Sequence, residues 1–104
     1  RLVLNPDVVV RSRGVMEKCN LCVQRVQLGK NQALLQRRPV ADGDIATACQ
    51  QSCPTGAIVF GDLADAGSRV SKLLAGRRAY RVLDELGTRP NVGYLKKIET
   101  KEKA

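Results

Sequence analysis

Cys19-Asn20-Leu21-Cys22 forms a C-x2-C pair, and after 26 intervening residues Cys49-Gln50-Gln51-Ser52-Cys53-Pro54 forms a C-x3-C-P group. These are all the cysteines of the chain, which has no histidine. Thiolates two residues apart in a turn can converge on one metal centre, and residues at i and i+4 project from the same side of a helix. Soft-metal chemistry is the expectation, with Cys19, Cys22, Cys49 and Cys53 as candidate ligands. Without histidine the usual general base near neutral pH is missing, so a His-dependent catalytic triad is excluded. Asp62, Asp65, Asp84 and Glu85 offer no evident acid-base pair; solvated turns and helix ends account for them.

Three chemistries compete for the four cysteines: structural zinc, two disulfides, or an iron-sulfur cluster. Disulfides belong chiefly to small secreted folds, and here they would staple very short loops. Four-cysteine zinc sites commonly use C-x2-C knuckles, whereas a C-x3-C-P ending is the tail of the bacterial ferredoxin signature. That ending favours iron and sulfur, with zinc as the competitor. Pro54 cannot donate a backbone N–H or continue a helix, so it turns the chain into Thr55-Gly56-Ala57-Ile58. Val15, Leu21 and Ile58 would either limit water access to a cluster or pack as ordinary core.

The elements that must position these residues are short. Val8 to Val10 reads as extended, Gly14 as a turn, and a short strand is expected before the first cysteine pair. From Val23 to about Arg38, Val23, Val26, Leu28, Leu34 and Leu35 recur with helical spacing, and Gly29 suggests a broken or late-starting helix. Pro39, Asp42 and Gly43 form a loop. Asp44 or Thr47 is positioned to cap a short helix carrying Cys49 and Cys53 on neighbouring turns, with Pro54 ending it. Ala57-Ile58-Val59-Phe60, bounded by glycines, reads as a buried strand. Ser68 caps a helix bearing Val70, Leu73 and Leu74 on one face and stopped by Gly76. Tyr80, Val82 and Leu83 run toward Gly87, and Thr88-Arg89-Pro90 is a turn before Val92 and Tyr94.

At 104 residues the chain fits one small domain, placed at residues 1–95 with a basic tail at 96–104. Phe60, Tyr80 and Tyr94 are the only aromatics, so something besides an apolar core is expected to help hold the fold. The longest apolar run, Ala57 to Phe60, is far short of the ~20 residues of a membrane-spanning helix. The formal charge of +8 is spread evenly, +4 in residues 1–53 and +4 in residues 54–104. With no basic block and few aromatic platforms, nucleic acid is not expected as a partner. The cations either solvate the surface or offset an anionic cofactor or acidic partner. Lys18 and Arg25, beside the first cysteine pair, are candidates for raising a cluster's reduction potential.

Val15-Met16-Glu17-Lys18-Cys19-Asn20-Leu21-Cys22-Val23-Gln24-Arg25, which fits K-C-x-x-C-x-x-R, and Thr47-Ala48-Cys49-Gln50-Gln51-Ser52-Cys53-Pro54-Thr55 resemble the four-cluster iron-sulfur subunits that accompany molybdopterin oxidoreductases. Within that superfamily, Asn5-Pro6-Asp7-Val8, Arg11 to Cys19, Ala57 to Leu63, and Leu86-Gly87-Thr88-Arg89-Pro90 with Val92 and Tyr94-Leu95 resemble the C-terminal portion of the iron-sulfur subunit of alternative complex III. The resemblance spans residues 5 to about 95. It implies an α+β, ferredoxin-like domain with short strands, helices and long loops, carrying a cluster that is most simply [4Fe–4S]. It further implies electron relay from quinol oxidation, with no substrate chemistry on this chain.

The partners implied are the remainder of the subunit, a polysulfide-reductase-type integral membrane subunit and c-type cytochromes, on the periplasmic face of the membrane. The family has four cysteine groups, and this chain has ligands for one. In the paired-cluster pattern Cys19, Cys22 and Cys49 hold one centre and Cys53 serves a second; the competing assignment puts all four on a single [4Fe–4S] centre. Two other functions stand beside this one: the iron-sulfur subunit of a molybdopterin oxidoreductase, and a zinc-stabilised basic interaction module.

Overall fold

The computed structural model of the chain describes residues 10–99. They divide after Ile58 into two compact units. The expected extension at Val8 and Val9, the Asn5-Pro6-Asp7-Val8 phrase and the tail from Thr100 onward lie outside the described residues.

In the first unit, α1 spans Val23–Leu35 and α2 spans Ala48–Ser52. The helix α1 is continuous, contrary to the break expected at Gly29. Gly29 is buried because the loop leading to α2 crosses it: a Cβ built there would lie 2.5 Å from Ile45 Cγ1. The close approach offsets glycine's intrinsic cost of about 1 kcal/mol in a helix. Gly29→Ala, normally favourable in a helix, is therefore expected to destabilise the chain by about 1–2 kcal/mol, the scale of overpacking. Urea denaturation of the variant checks this.

The helix also ends earlier than Arg38. Arg37 adopts a left-handed conformation at φ 53, the Arg38 N–H bonds the Ala33 carbonyl at 3.1 Å, and the Arg37 N–H bonds that of Leu34 at 3.0 Å. This is a Schellman stop built on arginine rather than glycine, which hides it from a glycine-based reading.

Asp44 caps no helix. Its carboxylate accepts from the Ala41 N–H at 2.7 Å and pairs with Arg38 Nη1 at 2.5 Å, closing the Pro39-to-Asp44 loop. The guanidinium first, and the Ala41 amide second, hold the Asp44 carboxyl below its ordinary range. A lowered folded-state value means the loop's contribution is complete above the unfolded value of about 3.9 and is lost as pH falls through the folded value. The Ala41 amide is accordingly expected to lose exchange protection below about pH 3.9, and Asp44→Asn to remove that pH dependence.

In the second unit, α3 spans Arg69–Leu74, β1 spans Ala79–Tyr80, a single 3-10 turn spans Asp84–Leu86, and β2 spans Tyr94–Leu95. Ser68 caps α3 as expected: its Oγ accepts from the Ser71 N–H at 3.3 Å and donates to the Asp62 carbonyl at 2.8 Å. The two strands pair antiparallel, Ala79 opposite Leu95 and Tyr80 opposite Tyr94, with the tyrosine rings stacked at 5.6 Å. Arg78 donates twice to the Lys96 carbonyl, at 3.0 and 2.8 Å, and extends the pairing beyond β2.

These elements make the chain α+β in content, with both strands in the second unit and all four cysteines in the first. Among the described residues no strand precedes Cys19, and Ala57 to Phe60 forms none. The latter run is exposed or half-buried because it lacks a partner strand, and the Ala57 N–H is spent on a cysteine sulfur instead. The core is thin: among the described residues Ala33 is the sole buried hydrophobic residue, while Met16 is 83% and Leu35 84% exposed. The buried polar residues among those described, Thr47 and Ser68, are the caps of α2 and α3.

Candidate metal centre

Residues 15–20 form an irregular segment that enters α1 through an unusual turn. Leu21 and Cys22 both lie in the left-handed region at φ 54. Two consecutive non-glycine residues there cost about 1–2 kcal/mol each. This backbone aims two successive amides at the side chains just before them. The Leu21 N–H points at Cys19 Sγ at 3.4 Å, and the Cys22 N–H bonds Asn20 Oδ1 at 3.0 Å in an Asx turn.

Cys22 is also the N-cap of α1, yet its sulfur caps nothing on that helix. Cys22 Sγ instead accepts from the Ala48 N–H at 3.4 Å, one of the first-turn donors of α2 that no intrahelical carbonyl can meet. A sulfur at the start of α1 thereby terminates α2, 26 residues away. Thr47 completes that end: its Oγ1 accepts from the Gln50 N–H at 3.3 Å and lies 3.2 Å from Cys49 Sγ.

Cys53 does not continue α2. It is the C-cap, at φ −79 and ψ 108, because a residue preceding proline is pushed out of the helical region. Cys53 therefore stands at the end of α2, one residue past its last helical position, and the chain turns away after it. Cys53 Sγ faces its own exit loop, 3.4 Å from Thr55 Oγ1 and 3.4 Å from the Ala57 N. The Thr55 hydroxyl above all, then the Ala57 amide, hold the Cys53 thiol below its ordinary pKa.

All four cysteines are free thiols, so the disulfide alternative is not realised. Each sulfur meets an N–H or hydroxyl, the environment that stabilises thiolates bound to a metal centre. The donor chemistry fits an iron-sulfur group. Its geometry is incomplete: among the described residues no three Cys, Asp or Glu side chains converge as a metal-holding group. What the fold brings together is Cys22 and the segment bearing Cys49; Cys53 looks elsewhere.

Arg25, on the third residue past Cys22, donates through Nη1 to Gln51 Oε1 at 2.7 Å and to the Ala46 carbonyl at 3.3 Å. Val15 is 62% and Ile58 40% exposed while Leu21 is half-buried, so Val15 and Ile58 neither shield the site nor pack as core. Sequence reading missed Asn20 and the sulfur contacts of Thr47 and Thr55. The signal was available in hydrogen-bonding side chains two residues before Cys22, two before Cys49 and two after Cys53.

No family model matches the chain. Curated relatives do. The chain is 44% identical over 99 residues to the menaquinone reductase iron-sulfur cluster-binding subunit of Nitratidesulfovibrio vulgaris, covering 92% of this chain and 39% of that protein. Its similarity extends to iron-sulfur subunits of other complexes. The Hdr-like menaquinol oxidoreductase iron-sulfur subunit 1 of Archaeoglobus fulgidus is 34% identical over 96 residues, 89% of this chain and 32% of that protein. A sulfite dehydrogenase subunit of Allochromatium vinosum is 33% identical over 87 residues, 84% of this chain and 32% of its own length. The chain thus spans between about a third and two fifths of the length of these relatives. Among the described residues no helix is long and apolar enough to cross a membrane.

Proposed function

We propose that this chain is an electron-relay domain carrying iron-sulfur chemistry within a quinol-linked oxidoreductase complex, ferredoxin-like in fold over residues 1–95. The observation that carries the reading is that every cysteine sulfur lies within hydrogen-bond reach of an N–H or hydroxyl: the Leu21 N–H at Cys19, the Ala48 N–H at Cys22, the Thr47 hydroxyl at Cys49, and the Thr55 hydroxyl and Ala57 N–H at Cys53. Groups so placed would donate to the sulfurs of a bound cluster and favour its more negative, reduced state. Likeness to a menaquinone reductase subunit and a menaquinol oxidoreductase subunit supports electron exchange with a quinone pool, and the second of them supports a quinol as the electron source.

Cys19, Cys22 and Cys49 hold one [4Fe–4S] centre in this reading, and Cys53 serves a second, with the missing thiolates supplied by other residues of the assembly. The contact from Ala48 to Cys22 and the contacts of Cys53 Sγ with its own exit loop support that split. The finer assignment is the iron-sulfur subunit of alternative complex III, beside a polysulfide-reductase-type membrane subunit and c-type cytochromes on the periplasmic face; it rests on the sequence phrases alone. The second reading, service to a molybdopterin oxidoreductase, rests on the resemblance of the two cysteine groups.

Iron, acid-labile sulfide, zinc and molybdenum analysis of the anaerobically isolated complex tests this. Iron with equimolar sulfide and a reducible paramagnetic signal upholds the relay. Molybdenum alongside them shifts the assignment to the second reading, and zinc without iron replaces both with a zinc-stabilised interaction module.

A further inference from the structure

Ala46 and Gln51 lie on either side of Cys49, and both are held by one nitrogen of Arg25. Arg25 belongs to the first turn of α1, immediately beyond Cys22, so its two bonds reach across 21 and 26 residues of chain. Between the two anchor points the Ala48 N–H meets Cys22 Sγ. The helix bearing Cys49 is five residues long, too short to hold an orientation by its own hydrogen bonds. Both acceptors of Arg25 are neutral, so its grip is directional hydrogen bonding and not charge pairing.

We infer that Arg25 is a positioning residue that braces the Cys49 segment against the helix following Cys22, holding these two ligands in register through a side chain that neither of them bears. The inference rests on the iron-sulfur reading above and deepens it. It also differs from a role for Arg25 as a nearby charge. A brace depends on Gln51, whereas a charge acting through space does not.

The test uses Arg25→Gln, Gln51→Ala and Gln51→Glu in the complex as isolated, reading amide exchange at Ala48, iron loss to a chelator and midpoint potential. Arg25→Gln and Gln51→Ala are expected to speed both exchange and iron loss by about tenfold, the scale of one lost charged hydrogen bond. Gln51→Glu keeps an acceptor and is expected to stay near wild type in both. The brace is overturned if Gln51→Ala matches wild type, or if Gln51→Glu is as damaging as Gln51→Ala. It is equally overturned if only the potential moves, falling in Arg25→Gln and Gln51→Glu and holding in Gln51→Ala. Should Arg25→Gln fail to fold, the two Gln51 variants carry the test. Wild-type protein without iron sinks the iron-sulfur reading, and the Ala48 exchange rates then uphold or overturn the brace by themselves.

Discussion

Cys22→Ala is expected to abolish the local cluster outright, while Cys53→Ala leaves that cluster in place and removes the signal of a neighbouring one. Two losses coincide at Cys22. A thiolate ligand disappears, and the Ala48 N–H at the start of α2 loses its acceptor, so the segment presenting Cys49 is released as well. Cys19→Ala and Cys49→Ala remove a ligand without freeing α2, yet all three variants are expected to empty the same centre. Cys53 stands apart because Pro54 forces it to leave the helix, and its sulfur is met from residues 55 to 57. Electron paramagnetic resonance of the reduced complex, with iron counted per chain, reads the outcome. If Cys53→Ala extinguishes the same signal as Cys22→Ala, all four sulfurs belong to one cluster and the split assignment fails.

Chelation of the iron is expected to melt the first unit, not simply to bleach it. Ala33 is the sole buried hydrophobic residue among those described, which leaves little apolar burial to oppose chain entropy. At 13 residues α1 is marginal as an isolated helix, and α2 at five residues has no independent stability. Left-handed backbone at Leu21 and Cys22 adds strain that only a ligand-bearing turn repays. Where structural metal sites hold such small folds together, binding contributes on the order of 10 kcal/mol and is inseparable from folding. Far-ultraviolet circular dichroism before and after anaerobic chelation should show most of the signal of α1 disappearing, with return on reconstitution. A metal-free chain that keeps its helical signal and a cooperative thermal transition contradicts this.

What the amino-acid sequence determined by itself is local chemistry. The spacing of Cys19, Cys22, Cys49 and Cys53 carries the proposal of thiolate ligation, while Thr47 and Ser68 mark helix starts and Pro54 marks the end of α2, because each acts within a turn or two of chain. The tertiary structure decided what depends on residues distant in sequence. Gly29, a helix breaker by propensity, is helical because Ile45 packs where its side chain would stand. Ala57 to Phe60, a strand by composition, forms none because a strand needs a partner and the chain offers none among the described residues. Arg25, readable beforehand only as a positive charge near Cys22, grips Ala46 and Gln51 because the 40s loop folds back onto α1. The physical reason is common to all three: caps and ligand spacings are properties of a few consecutive residues, whereas close approach, strand pairing and long-range hydrogen bonds exist only once separate segments have met.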